Sequence, residues 1–306
     1  MSSRQTTSYL IRRFQEAGLH PDTRRGQNFL VDLNLVELLA DSADLSEEDV
    51  VLEVGTGLGS LTSLIAPHVH SVVTVEVDPH LYQLAYEELV SFDNVTMLQQ
   101  DALKNKNRLH PNVIAAVEQQ LHGSATRRFK LIANLPYNIA TPIVSNLLDS
   151  PVLPVSMTVT IQKELADRMT AEPSTKDYSA LSIWVQSQCR TQIVRAMSPA
   201  VFWPRPKVHS AIIQILPDPV LRNRIVDLGF FHRFVRAMFF HRRKLLRSVI
   251  LSAFKKRLDK PDVDRLLATL ELPGDARAEQ LDIETMLRLS DSVRHRLSEL
   301  GLEQTV

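Results

Sequence analysis

From Val50 onward, short apolar runs alternate with longer segments in which apolar residues recur every three or four positions. The runs Val50–Val54, Ser71–Val77, Val95–Leu98, Lys130–Ala133 and Met157–Ile161 are nearly continuous. Continuous runs of this length fit strands buried on both faces. Helical patterns separate most of them, so successive βα units predict a doubly wound sheet with ligands beyond the carboxyl ends of its strands. Ahead of the first run, an amphipathic stretch from Tyr9 to Ala17 meets stop signals at Gly18 and Pro21. Beyond Pro217 the strand patterns cease and helical ones continue to Leu302. The pattern predicts an α/β domain over 1–216 and a smaller all-helical domain over 217–306.

One helix is predicted across Phe231–Val249. It would gather Phe231, Phe234, Met238, Leu245 and Val249 on one face and Arg233, Arg236, Arg243, Lys244 and Arg247 on the other. An unusually long link between Asp101 and Asn134 carries Lys104, Lys106, Arg108, Arg127, Arg128 and Lys130, with a short helix predicted from Val113 to Leu121. It reads as a basic insertion beside the site.

Composition narrows the class. With 44% hydrophobic and 23% charged residues over 306 positions, the chain is globular, and no apolar run is long enough for a membrane span. Cys189 is the only cysteine, so neither a disulfide nor a cysteine-rich zinc site is expected. Cys189 reads as a small core residue and the location as cytoplasmic. The zero net charge conceals a split. Val31–Gln100 holds 13 acids and no Lys or Arg, whereas Arg222–Lys260 holds 12 basic residues and two acids, a local excess of 12 − 2 = +10. Such a segment suits a polyanion. The structural alternative pairs Arg242 or Arg243 with an acid of the first domain.

The chemistry concentrates at strand ends. Glu53-Val54-Gly55-Thr56-Gly57-Leu58-Gly59 runs from strand to glycine turn to helix. Its G-x-G-x-G spacing misses the dinucleotide fingerprint, and Glu53 just before the turn is badly placed for a phosphate. A cationic ligand without phosphate, such as S-adenosylmethionine, fits better. Glu76, at the tip of the second strand, stands where an acid accepts ribose hydroxyls. Asp78 suits a helix cap, and Asp101, at the third strand end, could receive an adenine amino group.

After the fourth strand comes Asn134-Leu135-Pro136-Tyr137-Asn138-Ile139. An exocyclic base amine is a poor nucleophile because its lone pair is delocalised. Acceptors on both N–H bonds, the Asn134 side-chain oxygen and a main-chain carbonyl freed by Pro136, would turn that lone pair out of the ring plane. Tyr137 would stack on the base. His232 and His241 lack partners at metal spacing, so no metal is expected.

These elements resemble the KsgA-type ribosomal RNA small-subunit adenine N6-dimethyltransferase family. The resemblance rests on Gly26-Gln27-Asn28-Phe29-Leu30, Glu53 to Thr62, Asn134 to Ile139, Gln162-Lys163-Glu164, Phe202 to Ser210 and Arg242-Arg243-Lys244, spanning 26 to about 250. It implies a Rossmann-like S-adenosylmethionine-dependent methyltransferase domain, with segment 1–30 contributing to the cofactor site. The cofactor positions would be Asn28, Leu30, Gly55, Glu76, Asp101 and Asn134. Asn134, Leu135, Pro136, Tyr137 and Phe202 would form the catalytic turn and sandwich the adenine. The helical domain would bind RNA through Arg233, Arg236, Arg243, Lys244 and Arg247. The implied substrate is two adjacent adenines near the 3′ end of 16S ribosomal RNA on a pre-30S particle, dimethylated at N6 by a monomer that also serves subunit assembly.

Three departures stand out: Thr56 in place of a common proline, Tyr178-Ser179-Ala180-Leu181-Ser182 without the usual Gly-Arg pair, and the basic insertion. Two rivals keep the same fold. One is a large-subunit adenine methyltransferase of the macrolide-resistance type, which the Gly26–Leu30 and Arg242–Lys244 motifs disfavour. The other is a non-catalytic nucleic-acid-binding factor, which would not need an intact turn and glycine loop.

Overall fold

Residues 7–22 and 26–302 are described by the computed structural model. Of the N-terminal segment 1–30, residues 1–6 and 23–25 lie outside the described residues. The chain forms two compact units, one of residues up to Ala166 with Thr191–Pro217, the other of Asp167–Arg190 with the chain from Asp218 onward.

In the first unit, a short strand β1 (Phe29–Leu30) precedes β2 (Asp49–Val54), β3 (Ser71–Glu76) and β4 (Val95–Gln99). A small ribbon of β5 (Leu103–Asn105) and β6 (Arg108–Leu109) follows, then β7 (Arg128–Asn134), β8 (Ser156–Gln162), β9 (Cys189–Met197), β10 (Phe202–Trp203) and β11 (Ser210–Pro217). Seven strands form one sheet in the order β4-β3-β2-β7-β8-β11-β9. The β4-β3-β2-β7-β8 part is parallel, and β11 lies antiparallel to β8. The five expected strands are all present. The antiparallel β11 and the strand β9 beside it complete a mixed, Rossmann-like sheet. Every residue of β2 and β3 is buried, which explains their largely apolar runs; of the polar residues among them, Glu53 and Thr74 are hydrogen-bonded to each other.

Helices α1 (Thr7–Glu16), α2 (Leu33–Asp41), α3 (Ser60–Ile65), α4 (Pro79–Leu89), α5 (Pro111–Leu121) and α6 (Ala140–Leu148) accompany these strands. Val51, Val72, Ile132 and Ile212 pack with Val36 and Leu39 of α2 and with Leu61 and Ile65 of α3. Each such side chain contributes about 1.5–3 kcal/mol by leaving water. A second cluster joins Leu10 and Phe14 of α1 to Phe29, Leu58 and Leu81. Phe14 meets Phe29 edge-on at 5.4 Å and Trp203 at 5.1 Å.

The basic insertion divides in two. Arg128 and Lys130 sit at the start of β7, where each reaches Asp49 at 2.9 Å, and Arg127 donates to the Gln120 carbonyl at 2.8 Å. These three charges belong to the amino ends of the strands, away from the carboxyl ends where a ligand binds: Asp49 of β2 holds Arg128 and Lys130, and the carbonyls at the end of α5 hold Arg127. Lys104, Lys106 and Arg108 remain exposed on the β5–β6 ribbon.

Helix α7 (Lys163–Met169) carries the chain into the second unit, which holds α8 (Ala180–Gln186), α9 (Pro219–Arg222), α10 (Leu228–Phe240), α11 (Leu246–Ala253), α12 (Lys260–Thr269) and α13 (Ile283–Glu299). Residues 167–190, expected in the first domain, cluster with the helices instead. Trp184 stacks on His232 at 4.1 Å, and Tyr178 donates its hydroxyl to the Leu281 carbonyl at 2.8 Å. Phe230, Phe234 and Phe254 form the aromatic centre, with ring centroids 6.0–6.3 Å apart. Cys189 is 3% exposed, and burial pushes its thiol up to about 12.

The single helix expected over Phe231–Val249 is two. α10 ends at Phe240, His241 leaves helical geometry, and α11 starts after Leu245. The Leu246 amide binds the Ala276 carbonyl at 2.8 Å, and Leu245 pairs with Arg277. That tertiary pairing turns the chain, so Leu245 is exposed rather than part of an apolar stripe. Among the described residues no helix is long and apolar enough to cross a membrane.

Candidate active site

The strand order reverses between β2 and β7, and a cavity of about 390 Å³ opens at the carboxyl ends there. Such a switch point is the usual ligand site of an open α/β sheet. Glu53, Glu76 and Asp101 line it, and among the described residues no Lys, Arg or His does. This charge set suits a cationic, hydroxyl-rich ligand better than a phosphate-bearing one.

Glycines shape the floor. Gly55 has φ +89°, and a Cβ there would stand 3.3 Å from Cγ and Cδ of Pro136. The glycine loop and the Asn134–Ile139 turn are therefore packed against each other with no room for a side chain. At Gly26, a Cβ would come within 2.8 Å of the Asn138 Oδ1, which seats the N-terminal segment on the same turn.

Glu53 is 1% exposed. Its Oε2 accepts from Thr74 Oγ1 at 2.7 Å and from Thr62 Oγ1, and Thr56 and Thr74 hydroxyls meet at 2.6 Å. Burial pushes the Glu53 carboxyl up to about 7, against the two hydroxyl bonds and with a further push from Glu76. Sequence reasoning missed this hydroxyl network; Thr56, noted only as a departure from proline, is part of it. Glu76, also buried, accepts from Gly57 N at 3.0 Å and Asp78 N at 2.9 Å, and burial raises its carboxyl above the ordinary range. Asp78 caps α4, accepting from His80 N and Leu81 N. Asp101 is exposed and accepts from Leu103 N at 2.8 Å.

Asn134 ends β7. Its Nδ2 donates to the Asn28 carbonyl at 2.9 Å, which leaves Oδ1 without a partner among the described residues. The Leu135 amide binds the Thr160 carbonyl, and the Pro136 carbonyl takes the Ile139 amide. The Leu135 carbonyl accepts nothing among the described residues. Pro136 cannot donate at all.

Asn28, Leu30, Gly55, Glu76, Asp101, Asn134 and Pro136 all line the cavity; Leu135, Tyr137 and Phe202 do not. The Tyr137 hydroxyl is pinned 2.5 Å from Ser210 Oγ, and burial raises its pKa. Phe202 is 3% exposed: β10 pairs with β1, Phe202 facing Leu30, and the ring joins the core cluster.

The family profile described as ribosomal RNA adenine dimethylase matches residues 20–294. The chain belongs to that family. Ribosomal RNA adenine dimethylases among its relatives include two proteins called ribosomal RNA small subunit methyltransferase A. That of Halothermothrix orenii is 38% identical over 274 residues, covering 90% of this chain and 88% of the relative. That of Alkaliphilus oremlandii is 40% identical over 274 residues, covering 89% and 91%. A dimethyladenosine transferase from Plasmodium falciparum superposes with a TM-score of 0.72 at 22% identity, covering 89% of this chain and 98% of its own. The 23S rRNA methyltransferase ErmE gives 0.59 at 23%, covering 86% and 98%. Both show the methyltransferase fold. The chain is accordingly a ribosomal RNA adenine dimethyltransferase in class.

The expected RNA-binding residues lie in the helical unit. Arg233, Arg236, Arg243 and Lys244 are exposed. Arg247 is held by both oxygens of Asp264, with Nη2 at 2.8 Å. Arg242 pairs with Glu279 at 3.2 Å and donates to the Lys176 and Tyr178 carbonyls. Its acid partner thus comes from its own unit, not from the first domain.

Proposed function

We propose that this dimethylase transfers methyl groups from S-adenosylmethionine to N6 of two adjacent adenosines near the 3′ end of 16S ribosomal RNA, on a pre-30S particle and in the cytoplasm. The observation that carries it is Asn134, tied through Nδ2 to Asn28 and left with a free Oδ1 at the cavity. S-adenosylmethionine, when bound, supplies an electrophilic methyl group. Glu76 would accept its ribose hydroxyls, Asp101 its adenine amine, and Gly55 would let the backbone close on it.

The Asn134 Oδ1 and the Leu135 carbonyl would accept the two N–H bonds of a flipped adenine, turning its lone pair out of the ring plane. A methylated amine is acidic and loses its surplus proton to water, so no general base is required. The Tyr137 ring, fixed by Ser210, would give the base one stacking face. Phe202 would give the other only if the β1–β10 ribbon uncovers it.

Small ribosomal subunits lacking the modification, incubated with enzyme and labelled cofactor, should yield dimethyladenosine after digestion. Large-subunit RNA should yield none. Label in large-subunit RNA alone would transfer the assignment to the resistance-type reaction, and bound RNA without label would leave a binding factor.

A further inference from the structure

The basic segment of the second unit holds a cavity of about 480 Å³ between α10 and α11, within the size range of ligand clefts (roughly 300–1,000 Å³). One wall is the face of α10 that carries Arg233, Arg236 and Phe240, continued by Lys244 after the helix ends; Ser248 and Ser252 of α11 form the other. Among the described residues no carboxylate lines it. Phe240 is 80% exposed, although its helix buries Phe231, Phe234 and Met238 almost completely. His241 lies 4.8 Å from the ring, centroid to centroid, with the two planes at 73°.

An exposed phenylalanine alone is ordinary. One set among cations and hydroxyls, with no acid beside it, has the makeup of a stacking platform in a phosphate-attracting groove. A duplex cannot use a flat ring, because its bases are already stacked; an unpaired base can. We propose that Phe240 stacks on an unpaired ribonucleotide of the substrate RNA while Arg236 and Lys244 hold the flanking phosphates, a single-strand subsite separate from the methyl-transfer cavity. This deepens the ribosomal RNA reading and rests on it.

The test measures binding of a short single-stranded oligoribonucleotide and of a blunt RNA duplex of equal length to the intact protein and to Phe240→Ala, Phe240→Leu and Phe240→Trp. Alanine should weaken single-strand binding about ten-fold and barely change duplex binding. Leucine, apolar but without a π face, should fall with alanine. Tryptophan should bind as well as wild type, with its emission quenched by the RNA. Unchanged cofactor affinity and melting temperature in each variant establish that it is folded.

Failure of the wild type to bind the single strand, equal binding by the alanine variant, or leucine matching phenylalanine would each overturn the proposal. So would a loss seen with whole subunits but not with naked RNA, which marks a protein contact. Methyl incorporation into subunits by wild type, run in parallel, separates the two readings. Phe240-dependent RNA binding without methylation sinks the catalytic reading and keeps this site; methylation with RNA binding indifferent to Phe240 does the reverse.

Discussion

The Asn134 side chain donates through Nδ2 to the main-chain carbonyl of Asn28, 2.9 Å away and 106 residues earlier in the chain. One amide thus fixes the N-terminal segment at the cavity and presents an acceptor to the reacting amine. Asn134→Ala should lower kcat by about 10²–10³, the usual cost of losing one preorganised polar group, and leave RNA affinity intact. Asn134→Asp keeps an acceptor but sets a carboxylate oxygen against the Asn28 carbonyl, so its KM for cofactor should rise more than its kcat falls. Steady-state kinetics on small subunits separates the two. Equal loss of RNA binding in the alanine variant would remove Asn134 from the chemistry.

Gly55 should not tolerate a methyl group. Its φ of +89° is a left-handed conformation and its missing Cβ would press on the Pro136 ring at 3.3 Å, so strain of about 1–2 kcal/mol adds to the crowding. Gly55→Ala should lose cofactor affinity about ten-fold or more, since that strain and crowding act at the cavity itself. Gly274 has ordinary φ and nothing within 4 Å of its absent Cβ. Gly274→Ala is therefore the control and should leave both melting and cofactor binding unchanged. Calorimetric titration with S-adenosylmethionine distinguishes them.

The parts legible in sequence are those whose signal is local. Strands β2 and β3 are buried throughout and so carry largely apolar runs, and the glycine loop and the Asn134 turn are each contiguous in sequence. Long-range partners were not legible. Thr62 and Thr74 stand unremarked in the sequence and Thr56 only as a departure from proline, yet their hydroxyls form one network around the Glu53 carboxyl across up to 21 positions. Leu245 keeps helical spacing with Met238, but the Leu246 amide is claimed by Ala276, 30 residues on, and the helix breaks. Only a strand-like stretch around Cys189 hinted at β9, because Arg190, Gln192 and Arg195 interrupt a strand that the topology puts at the sheet edge.

Glu53 gives the protein a pH-dependent stability. Its carboxyl is raised from 4.5 to about 7, chiefly by burial, so the folded state keeps a proton that the unfolded chain releases. The stability is fully present below pH 4.5, declines as pH rises, and is lost once pH passes about 7. The total amounts to about 3 kcal/mol at 1.36 kcal/mol per pH unit. Glu53→Gln keeps an acceptor for the threonine hydroxyls without the ionisation. Its melting temperature should exceed that of wild type at pH 8 and approach it near pH 4. Parallel curves from pH 4 to 8 would mean the carboxyl is ionised throughout.

Asp49 tests structure apart from chemistry. It is fully buried, with Lys130 Nζ and Arg128 Nε each at 2.9 Å. Asp49→Ala leaves Lys130, itself only 4% exposed, buried without its counter-charge, and should cost about 3–5 kcal/mol in urea unfolding. Asp49→Leu with Lys130→Met should recover part of that. Cofactor affinity of the folded fraction should not change, since neither residue lines the cavity. A lowered affinity in the double variant would show that the amino end of β2 influences the site.

Salt dependence separates the basic residues that face phosphate from those already paired. Each phosphate contact made by a cation releases condensed counterions, so removing one contact lowers the slope of log affinity against log salt by about 0.7–0.9. Arg243 and Lys244 are exposed in the turn after α10 with no acid partner among the described residues, whereas Arg247 is gripped by both oxygens of Asp264. Arg243→Ala with Lys244→Ala should therefore reduce the slope for subunit binding by about 1.4–1.8, two such contacts, with cofactor affinity preserved. Arg247→Ala should scarcely alter it. Equal reductions from all three would mean that Arg247 exchanges Asp264 for a phosphate on binding. Asp264→Ala should then tighten binding, because it frees the guanidinium that the carboxylate otherwise holds.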